Sequence, residues 1–282
     1  MNNILSGIIN IAEFHNNNLK DYSTKYLIRI NAAGDQLEYF IKDAIAGSFK
    51  EDQNVKEKIF YPKVFSYTGN QNNPPDLMIR GGDAFEVKKI SGFGTIALNS
   101  SPPKDKLYSS DSRLTSVCRR CEDWLEKDFF YTIGTVIKNK LKLLFLVHGS
   151  CYAANKETYD RINDPLKKEI DTLIDSKGLE KGITNELGRI NKVDPLGITE
   201  LRIRGMWQIQ HPLKVFSDIY DYNKNSEFSL VSIMTQEKYD SFSETIRKKI
   251  ESHKMIRLSD IKIKDPNNPA RLLNAKLITL EW

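Results

Sequence analysis

Two short β-type runs separated by a glycine turn constrain the fold of this chain more than any other feature. Residues 76–80 and 84–90 are rich in apolar side chains, and residues 81–83 (Gly-Gly-Asp) supply the turn chemistry between them. The pattern predicts a β-hairpin in which the tight turn folds the first run back against the second. Residues near the start of the first run are therefore expected opposite residues 86–88.

Three charged residues should meet at the open end of this hairpin. Side chains alternate faces along a strand, so Glu86 and Lys88 point the same way, and Asp76 lies opposite them within about one residue of register. Phosphodiester hydrolysis needs such a set, because carboxylates hold Mg²⁺, the metal polarises the phosphoryl oxygen and an ammonium group orients the attacking water or offsets developing charge. Asp76 and Glu86 are thus candidate metal ligands and Lys88 a candidate catalytic residue, although solvated surface charges would give the same pattern.

The arrangement resembles the signature of the PD-(D/E)xK nucleases, here Pro75-Asp76 followed by Glu86-Val87-Lys88. Other hydrolytic chemistries lack their residues in this chain. The four histidines form no paired-histidine motif, and the short glycine-rich stretch at residues 92–94 is not followed by the Lys-Ser or Lys-Thr of a phosphate-binding loop.

A helix predicted over residues 34–46 precedes the hairpin and carries one further candidate. Glu38 lies at the edge of its apolar face, whereas Asp35 and Asp43 are expected on the solvent side. Nucleases of this fold often have an additional acidic residue on this helix, so Glu38 is a candidate catalytic residue. The alternative is an ordinary solvated glutamate.

The remainder of the chain alternates helical and β-type patterns, which predicts a mixed α/β protein. We expect a single domain over residues 1–282, with a catalytic core at about 30–215 and a C-terminal part, 216–282, packed on it. Further helices are predicted over residues 4–12, 118–130, 158–176 and 237–253, and further strands over residues 63–67, 131–137, 141–147, 199–209 and 276–280.

Several phrases outside the hairpin resemble the NgoPII-type restriction endonucleases, from the helix around Glu38 to about Phe216. They are GNQNNPPD at residues 69–76, LNSSPPK at 98–104, CRRCEDW at 118–124 and LRIRGMW at 201–207. The resemblance implies a PD-(D/E)xK restriction-endonuclease-like core with a mixed central β-sheet flanked by helices. It also implies Mg²⁺-dependent double-strand cleavage of DNA at a short GC-rich palindrome such as GGCC. It carries over Asp76, Glu86 and Lys88 as the catalytic group, with Glu38 as a further candidate.

Two segments carry residues suited to contact DNA. Arg202 and Arg204 should project from one face of the β-type run at 199–209, where arginine can contact guanine O6 and N7. Their neighbours Leu201 and Ile203 are expected to pack inward; a charged outer face is the alternative reading of the arginines. The loop after the catalytic strand could grip backbone phosphates, or could simply be a polar loop. Its candidates are Asn99, Ser100, Ser101 and Lys104.

Composition and symmetry suggest the partners. A net charge of +5 suits double-stranded DNA without proving it, and a palindromic site cut by one catalytic group per chain calls for a homodimer. No apolar run approaches the ~20 residues that span a bilayer, and residues 1–11 lack the charge of a signal peptide. We therefore expect no membrane contact and a cytoplasmic, prokaryotic location, with a cognate DNA methyltransferase in the same host.

Four residues leave a zinc site open as an alternative, because Cys118 and Cys121 have metal-ligand spacing and His148 and Cys151 form a second pair. We expect these to be separate buried side chains without zinc. A structure-cutting nuclease of the same fold and a catalytically inactive DNA-binding module also remain open at this point. The recognition sequence, the cleavage position, the overhang and any sensitivity to methylation are not determined by the sequence.

Overall fold

The structure is a computed structural model that describes residues 2–19, 32–70 and 73–282. Its helices are α1 (Ile4–Phe14), α2 (Ala32–Ala46), α3 (Gln53–Val55), α4 (Tyr61–Val64), α5 (Ser116–Arg120), α6 (Lys156–Ser176), α7 (Pro212–Val215), α8 (Gln236–Ser241) and α9 (Glu244–Ser252), with a π-helical turn at Lys56–Phe60 and a 3₁₀ turn at Gly149–Cys151. Its strands are β1 (Phe65–Asn70), β2 (Asn73–Ile79), β3 (Ala84–Ile90), β4 (Ile96–Asn99), β5 (Lys106–Tyr108), β6 (Glu126–Ile137), β7 (Lys140–His148), β8 (Glu180–Lys181), β9 (Gly188–Asn191), β10 (Leu201–Ile203), β11 (Trp207–Ile209), β12 (Ser229–Thr235), β13 (Ile256–Asp265) and β14 (Asn268–Glu281).

A mixed central sheet forms the core of the molecule, in the order β1-β2-β3-β6-β7-β12-β14-β13. The pairs β3–β6 and β7–β12 are parallel, and the remaining neighbours are antiparallel. Strands β6, β7 and β12 lie in the middle and are almost wholly buried, which explains why they read as nearly continuous apolar runs. The sheet confirms the predicted fold class.

Helices cover one face of the sheet and thereby fix the surroundings of the hairpin. Helices α1, α2 and α9 pack over this face around buried residues such as Leu5, Phe40 and Ile250. Gly134 in β6 has no room for a side chain, because an added Cβ would lie 2.6 Å from Leu37 Cδ2. Helix α2 therefore lies directly on the sheet, next to the strand that carries the predicted catalytic residues.

Several predicted elements are confirmed, and others are wrong. The hairpin, α1, α2, α6 and the β6–β7 turn agree with the sequence patterns. The predicted helix over residues 118–130 is wrong: α5 ends at Arg120 and β6 begins at Glu126. Pairing with β3 and β7 draws the aromatic residues Phe129 and Phe130 into the sheet, and this tertiary pairing overrides the local helical pattern.

The C-terminal part takes a larger share in the sheet than predicted. Strands β12 and β13 were not predicted at all, and with β14 they extend the central sheet beyond β7. The helix predicted over residues 237–253 is broken at Phe242 and Ser243 into α8 and α9. The run at 199–209 is also divided, since β10 pairs with β9 whereas β11 pairs with β4.

In the part of the chain that the structure describes, no helix combines the length and the apolar surface needed to cross a bilayer.

Candidate active site

The hairpin has the register that the sequence predicts. Leu77 pairs with Phe85 and Met78 with Ala84, so Asp76 and Glu86 stand at the next position, just beyond the last paired residues. The strands diverge there, and the backbone N–H of Val87 donates to Asp76 Oδ2 at 2.6 Å. The open end of the hairpin thus holds both carboxylates.

Only one of the two carboxylate oxygens of Glu86 has a partner among the described residues. Lys88 Nζ lies 2.6 Å from Glu86 Oε1, so one oxygen of the carboxylate has an ammonium partner. The other oxygen, Oε2, is buried and has no hydrogen-bond partner among the described residues. A buried charged oxygen without a partner is costly, so this atom can gain stability from a cation.

The pKa values of the group reflect this crowding. Burial, and then the charge of Glu86, raise the pKa of Asp76 from about 3.8 to about 7, although Lys88 and the Val87 N–H act in the opposite direction. Burial alone would lower the pKa of Lys88, but Glu86 and Asp76 outweigh it, so the pKa is raised and the lysine stays protonated. The site therefore combines two mutually repelling carboxylates with one fixed ammonium group.

Glu38 lies beside this group without lining the cleft in front of it. Its carboxylate is 2.6 Å from Lys42 Nζ on the next turn of α2, and its charge contributes to the raised pKa of Asp76 and of Lys88. The negative charge of Glu38 thus acts electrostatically on the predicted catalytic residues.

The prediction that Asp43 faces solvent is wrong. Asp43 is fully buried, and its carboxylate accepts hydrogen bonds from Ser48 Oγ at 2.7 Å and Tyr61 OH at 2.8 Å and pairs with Lys56. It ties α2 to the segment that follows, and these buried partners account for its position. The side chain of Asp35 falls outside the described residues.

A cleft of about 680 Å³ opens in front of the hairpin and brings the predicted residues together. Asp76, Glu86 and Lys88 form one wall. All six residues predicted to contact DNA line the same cleft: Asn99, Ser100, Ser101, Lys104, Arg202 and Arg204. Sequence patterns far apart in the chain therefore converge on a single surface.

The loop after β4 is held against the sheet by backbone contacts. The N–H of Lys104 donates to Tyr131 OH at 2.6 Å. Gly149 has no room for a side chain, because an added Cβ would lie 2.2 Å from the carbonyl oxygen of Asp105. Burial lowers the pKa of Lys104, whose Nζ faces the cleft near Glu86 and Lys88 and donates only weakly, at 3.4 Å, to Pro102 O.

Arg113 also lines the cleft, although the sequence patterns did not predict it as a site residue. Its guanidinium donates to both carboxylate oxygens of Asp111 at 2.9 to 3.2 Å and to Asp160 of α6 at 3.2 Å. It thus joins the loop before α5 to helix α6 at the edge of the cleft. The Asp-Ser-Arg spacing gave a local signal, but the partner on α6 is 47 positions away.

Arg202 and Arg204 stand on the wall of the cleft that includes Glu186. Arg202 donates from Nε and Nη2 to the two oxygens of Glu186 at 2.9 and 2.7 Å, and Arg204 Nε lies 2.8 Å from Glu186 Oε1. Both arginines are exposed, as is Leu201, so the expectation that Leu201 packs inward is wrong. Strand β10 is a short strand at the edge of a small sheet, which leaves Leu201 without a covering layer.

The three cysteines are free thiols, of which Cys118 and Cys151 are buried and Cys121 is partly buried. Cys118 packs with its sulfur 3.5 Å from that of Met78, and Cys151 is buried nearby in the same apolar cluster. His148 contacts Asp128 at 3.3 Å. Within the described ranges, no group of three or more His, Cys, Asp or Glu side chains is placed to hold a metal ion.

The chain is similar to one family of known proteins over nearly its whole length. The family model of the NgoPII restriction endonuclease matches residues 2–264. The type II restriction enzyme NgoPII of Neisseria gonorrhoeae is 46% identical over 281 residues, which cover 98% of this chain and 99% of that enzyme. No solved structure matches.

The mixed sheet, the acidic hairpin and these matches define a type II restriction endonuclease, which is a site-specific deoxyribonuclease. The chain belongs to the NgoPII restriction endonuclease family. The similarity extends well past Phe216, where the sequence phrases had suggested that it ends: the family model runs to residue 264, and the match to the Neisseria enzyme covers 98% of the chain.

Proposed function

We propose that this enzyme makes Mg²⁺-dependent double-strand cuts at a short GC-rich palindrome of the GGCC type and leaves 5′-phosphate and 3′-hydroxyl ends. The observation that carries the proposal is the carboxylate pair at the open end of the hairpin. Asp76 is crowded against Glu86, and Glu86 Oε2 is buried without a partner in the described part of the chain. Oxygen donors of this kind are what Mg²⁺ prefers.

The residues present fit the ion, with Asp76 and Glu86 as its protein ligands. Bound there, Mg²⁺ would polarise a phosphoryl oxygen and support the leaving oxygen. Its charge would also offset the burial and the repulsion from Glu86 that together raise the pKa of Asp76. Glu38, whose charge reaches the site from α2, would add to the attraction for a cation without touching it.

Lys88 supplies the ammonium group of the reaction. Glu86 holds its Nζ at 2.6 Å, and the raised pKa keeps it charged, so it can orient the attacking water and offset charge on the phosphate. The water oxygen gives up one proton to the surrounding solvent and bonds to phosphorus while the bond from phosphorus to O3′ breaks. The electron pair leaves on O3′, which takes up a proton, and the new phosphate stays on the 5′ end.

The six cleft residues predicted to contact DNA take two roles in this proposal, contact with the phosphate backbone and contact with bases. Ser100, Ser101, Asn99 and Lys104 lie beside the catalytic wall, where hydroxyl, amide and ammonium groups suit the DNA backbone. The two arginines next to Glu186 present guanidinium groups suited to guanine. GC-rich recognition is in keeping with arginine as the reading residue.

A homodimer on double-stranded DNA would place one Asp76–Glu86–Lys88 group on each strand of a palindrome. As a restriction enzyme it would act in the cytoplasm of a prokaryote whose cognate methyltransferase protects the host DNA; no direct contact with that methyltransferase is required.

Digestion of plasmid DNA with Mg²⁺, followed by sequencing of the ends, tests the proposal. Discrete fragments with 5′-phosphate ends at one palindrome are expected. A smear, or cuts that follow DNA junctions instead of sequence, would point to a structure-cutting nuclease. Binding without any cleavage would point to an inactive DNA-binding module.

A further inference from the structure

Glu186 is the only residue that joins the two candidate base-reading arginines in the described part of the chain. Its side chain is 11% exposed, whereas those of Arg202 and Arg204 are 59% and 56% exposed. The carboxylate is thus covered by the two guanidinium groups, whose far ends are open to the cleft. The group as a whole carries one net positive charge.

The hydrogen bonds of Glu186 use one particular edge of Arg202. The Nε and Nη2 donors on the side of the guanidinium bind the carboxylate. In Arg204 it is again Nε that faces Glu186. Guanine O6 and N7 need two parallel donors, and the Nη1–Nη2 end of each arginine supplies such a pair without breaking its contact with Glu186.

The carboxylate itself stands on an anchored backbone. The N–H of Glu186 donates to Thr184 Oγ1 at 3.0 Å, and Lys167 Nζ from α6 donates to Thr184 O at 3.1 Å. Two residues further on, Gly188 packs so closely on α6 that an added Cβ would lie 2.6 Å from Ile170 Cγ2. The backbone around Glu186 is therefore fixed against helix α6, and Glu186 in turn fixes the two arginines.

We infer that Glu186 is a positioning residue for sequence recognition: it fixes the side edges of Arg202 and Arg204 so that their terminal edges are presented to guanine, and its charge disfavours a phosphate at the same place. The inference rests on the proposed function, since it assumes that the arginines read bases. The inference predicts opposite effects on two kinds of DNA, the recognition site and unrelated sequence. Loss of the carboxylate should weaken binding to the recognition site and strengthen binding to unrelated DNA.

Glu186→Gln tests this inference, because glutamine keeps the size of the side chain but removes its charge. Glutamine also has only one acceptor oxygen, whereas the arginines bind both oxygens of Glu186. Binding is measured in Ca²⁺ for a duplex with one GGCC site and for the same duplex with that site scrambled. We expect affinity for the GGCC duplex to fall about 10-fold or more. Affinity for the scrambled duplex should rise about 2- to 5-fold, with a steeper salt dependence.

Two further variants separate position from charge and folding. Glu180→Gln removes the same charge from the same small sheet, where Glu180 pairs with Lys192 at 2.9 Å outside the cleft, and should leave the ratio of the two affinities within about 2-fold of wild type. Glu186→Asp keeps the charge but is shorter by one methylene, so it should weaken only the GGCC complex.

The outcomes separate a wrong role for Glu186 from a wrong proposal of GGCC recognition. Parallel losses on both duplexes would mean a purely structural role, and parallel gains would mean that Glu186 is only a repelling charge; either overturns the inference while leaving GGCC recognition standing. A wild-type protein that binds both duplexes equally would overturn the proposed recognition and the inference with it.

Discussion

Asp76→Asn should inactivate the enzyme and yet stabilise the metal-free fold. Burial and the nearby Glu86 raise the pKa of Asp76 to about 7, from an ordinary value of 3.8. For an acid, a raised folded-state pKa means that folding favours the protonated form. Stability is therefore unaffected by this group below about pH 4, falls as the pH rises from about 4 to about 7, and remains reduced above pH 7.

The magnitude follows from the size of the shift. About three pKa units at about 1.4 kcal/mol each give a penalty of about 4 kcal/mol at pH 8. Because part of Asp76 remains accessible in the cleft, solvent screening reduces the expected gain to about 2–4 kcal/mol. Asparagine bears no charge, and its carbonyl oxygen can still accept from the Val87 N–H, so the variant should recover this penalty.

Urea denaturation in EDTA at pH 5 and pH 8 measures the effect. The variant should gain more unfolding free energy over wild type at pH 8 than at pH 5, and the exposed Asp218→Asn should show no such difference. At pH 8, added Mg²⁺ should stabilise wild type but not Asp76→Asn. An equal change at both pH values, or a loss of stability at pH 8, would refute the reasoning that the two carboxylates are held together against their repulsion.

Other predictions follow from the same contacts. Lys88→Ala should lower cleavage at least ~10²-fold while DNA binding in Ca²⁺ persists; near-normal cleavage would exclude Lys88 from the chemistry. Arg202→Ala and Arg204→Ala should each weaken binding to GGCC by ~1–3 kcal/mol per half-site, and an equal loss on scrambled DNA would exclude base reading. Lys238→Met should cost about 3–5 kcal/mol of unfolding free energy, because it removes the ammonium group that buried Asp83 shares with Asp128. Adding Asp83→Asn should recover the part of the loss that is due to Asp83, and a cost of the single variant below about 1 kcal/mol would contradict this. Elemental analysis of the purified protein should find no stoichiometric zinc, and one zinc per chain would prove this wrong.

The hairpin was predictable because its information is local. Turn chemistry and alternation over residues 76–90 determine which side chains meet, and the register of Leu77 with Phe85 follows from them. The opposite wall of the cleft was only partly predictable. Arg202 and Arg204 gave a signal through their spacing, but their partner Glu186 belongs to another loop, and no local pattern relates the two.

The C-terminal strands show a different limit. In β13 the apolar side chains change phase: Ile256 and Leu258 pack on one face of the sheet, whereas Ile261 and Ile263 pack on the other. The sequence therefore lacks the unbroken alternation that predicts a half-buried strand. Strand β12 is buried on both faces and short, so its run of residues gives no periodicity. Its pairing with β7 depends on residues 86 positions away in the chain, and its pairing with β14 on residues 40 to 52 positions away.

These distant contacts also explain how the hairpin can hold its carboxylates in an unfavourable arrangement. At the turn, Lys238 from α8 pairs with Asp83, and Lys127 Nζ donates to Gly82 O at 2.7 Å. Glu122 accepts from the Gly81 N–H at 2.8 Å. The closed end of the hairpin is thus fixed by satisfied ion pairs and hydrogen bonds, whereas the open end carries an unsatisfied carboxylate oxygen. The open end is also restrained, because β3 pairs with β6 from Ala84 to Ile90 and β2 pairs with β1. The two strands therefore cannot move apart to relieve the repulsion, which remains available to favour a bound cation.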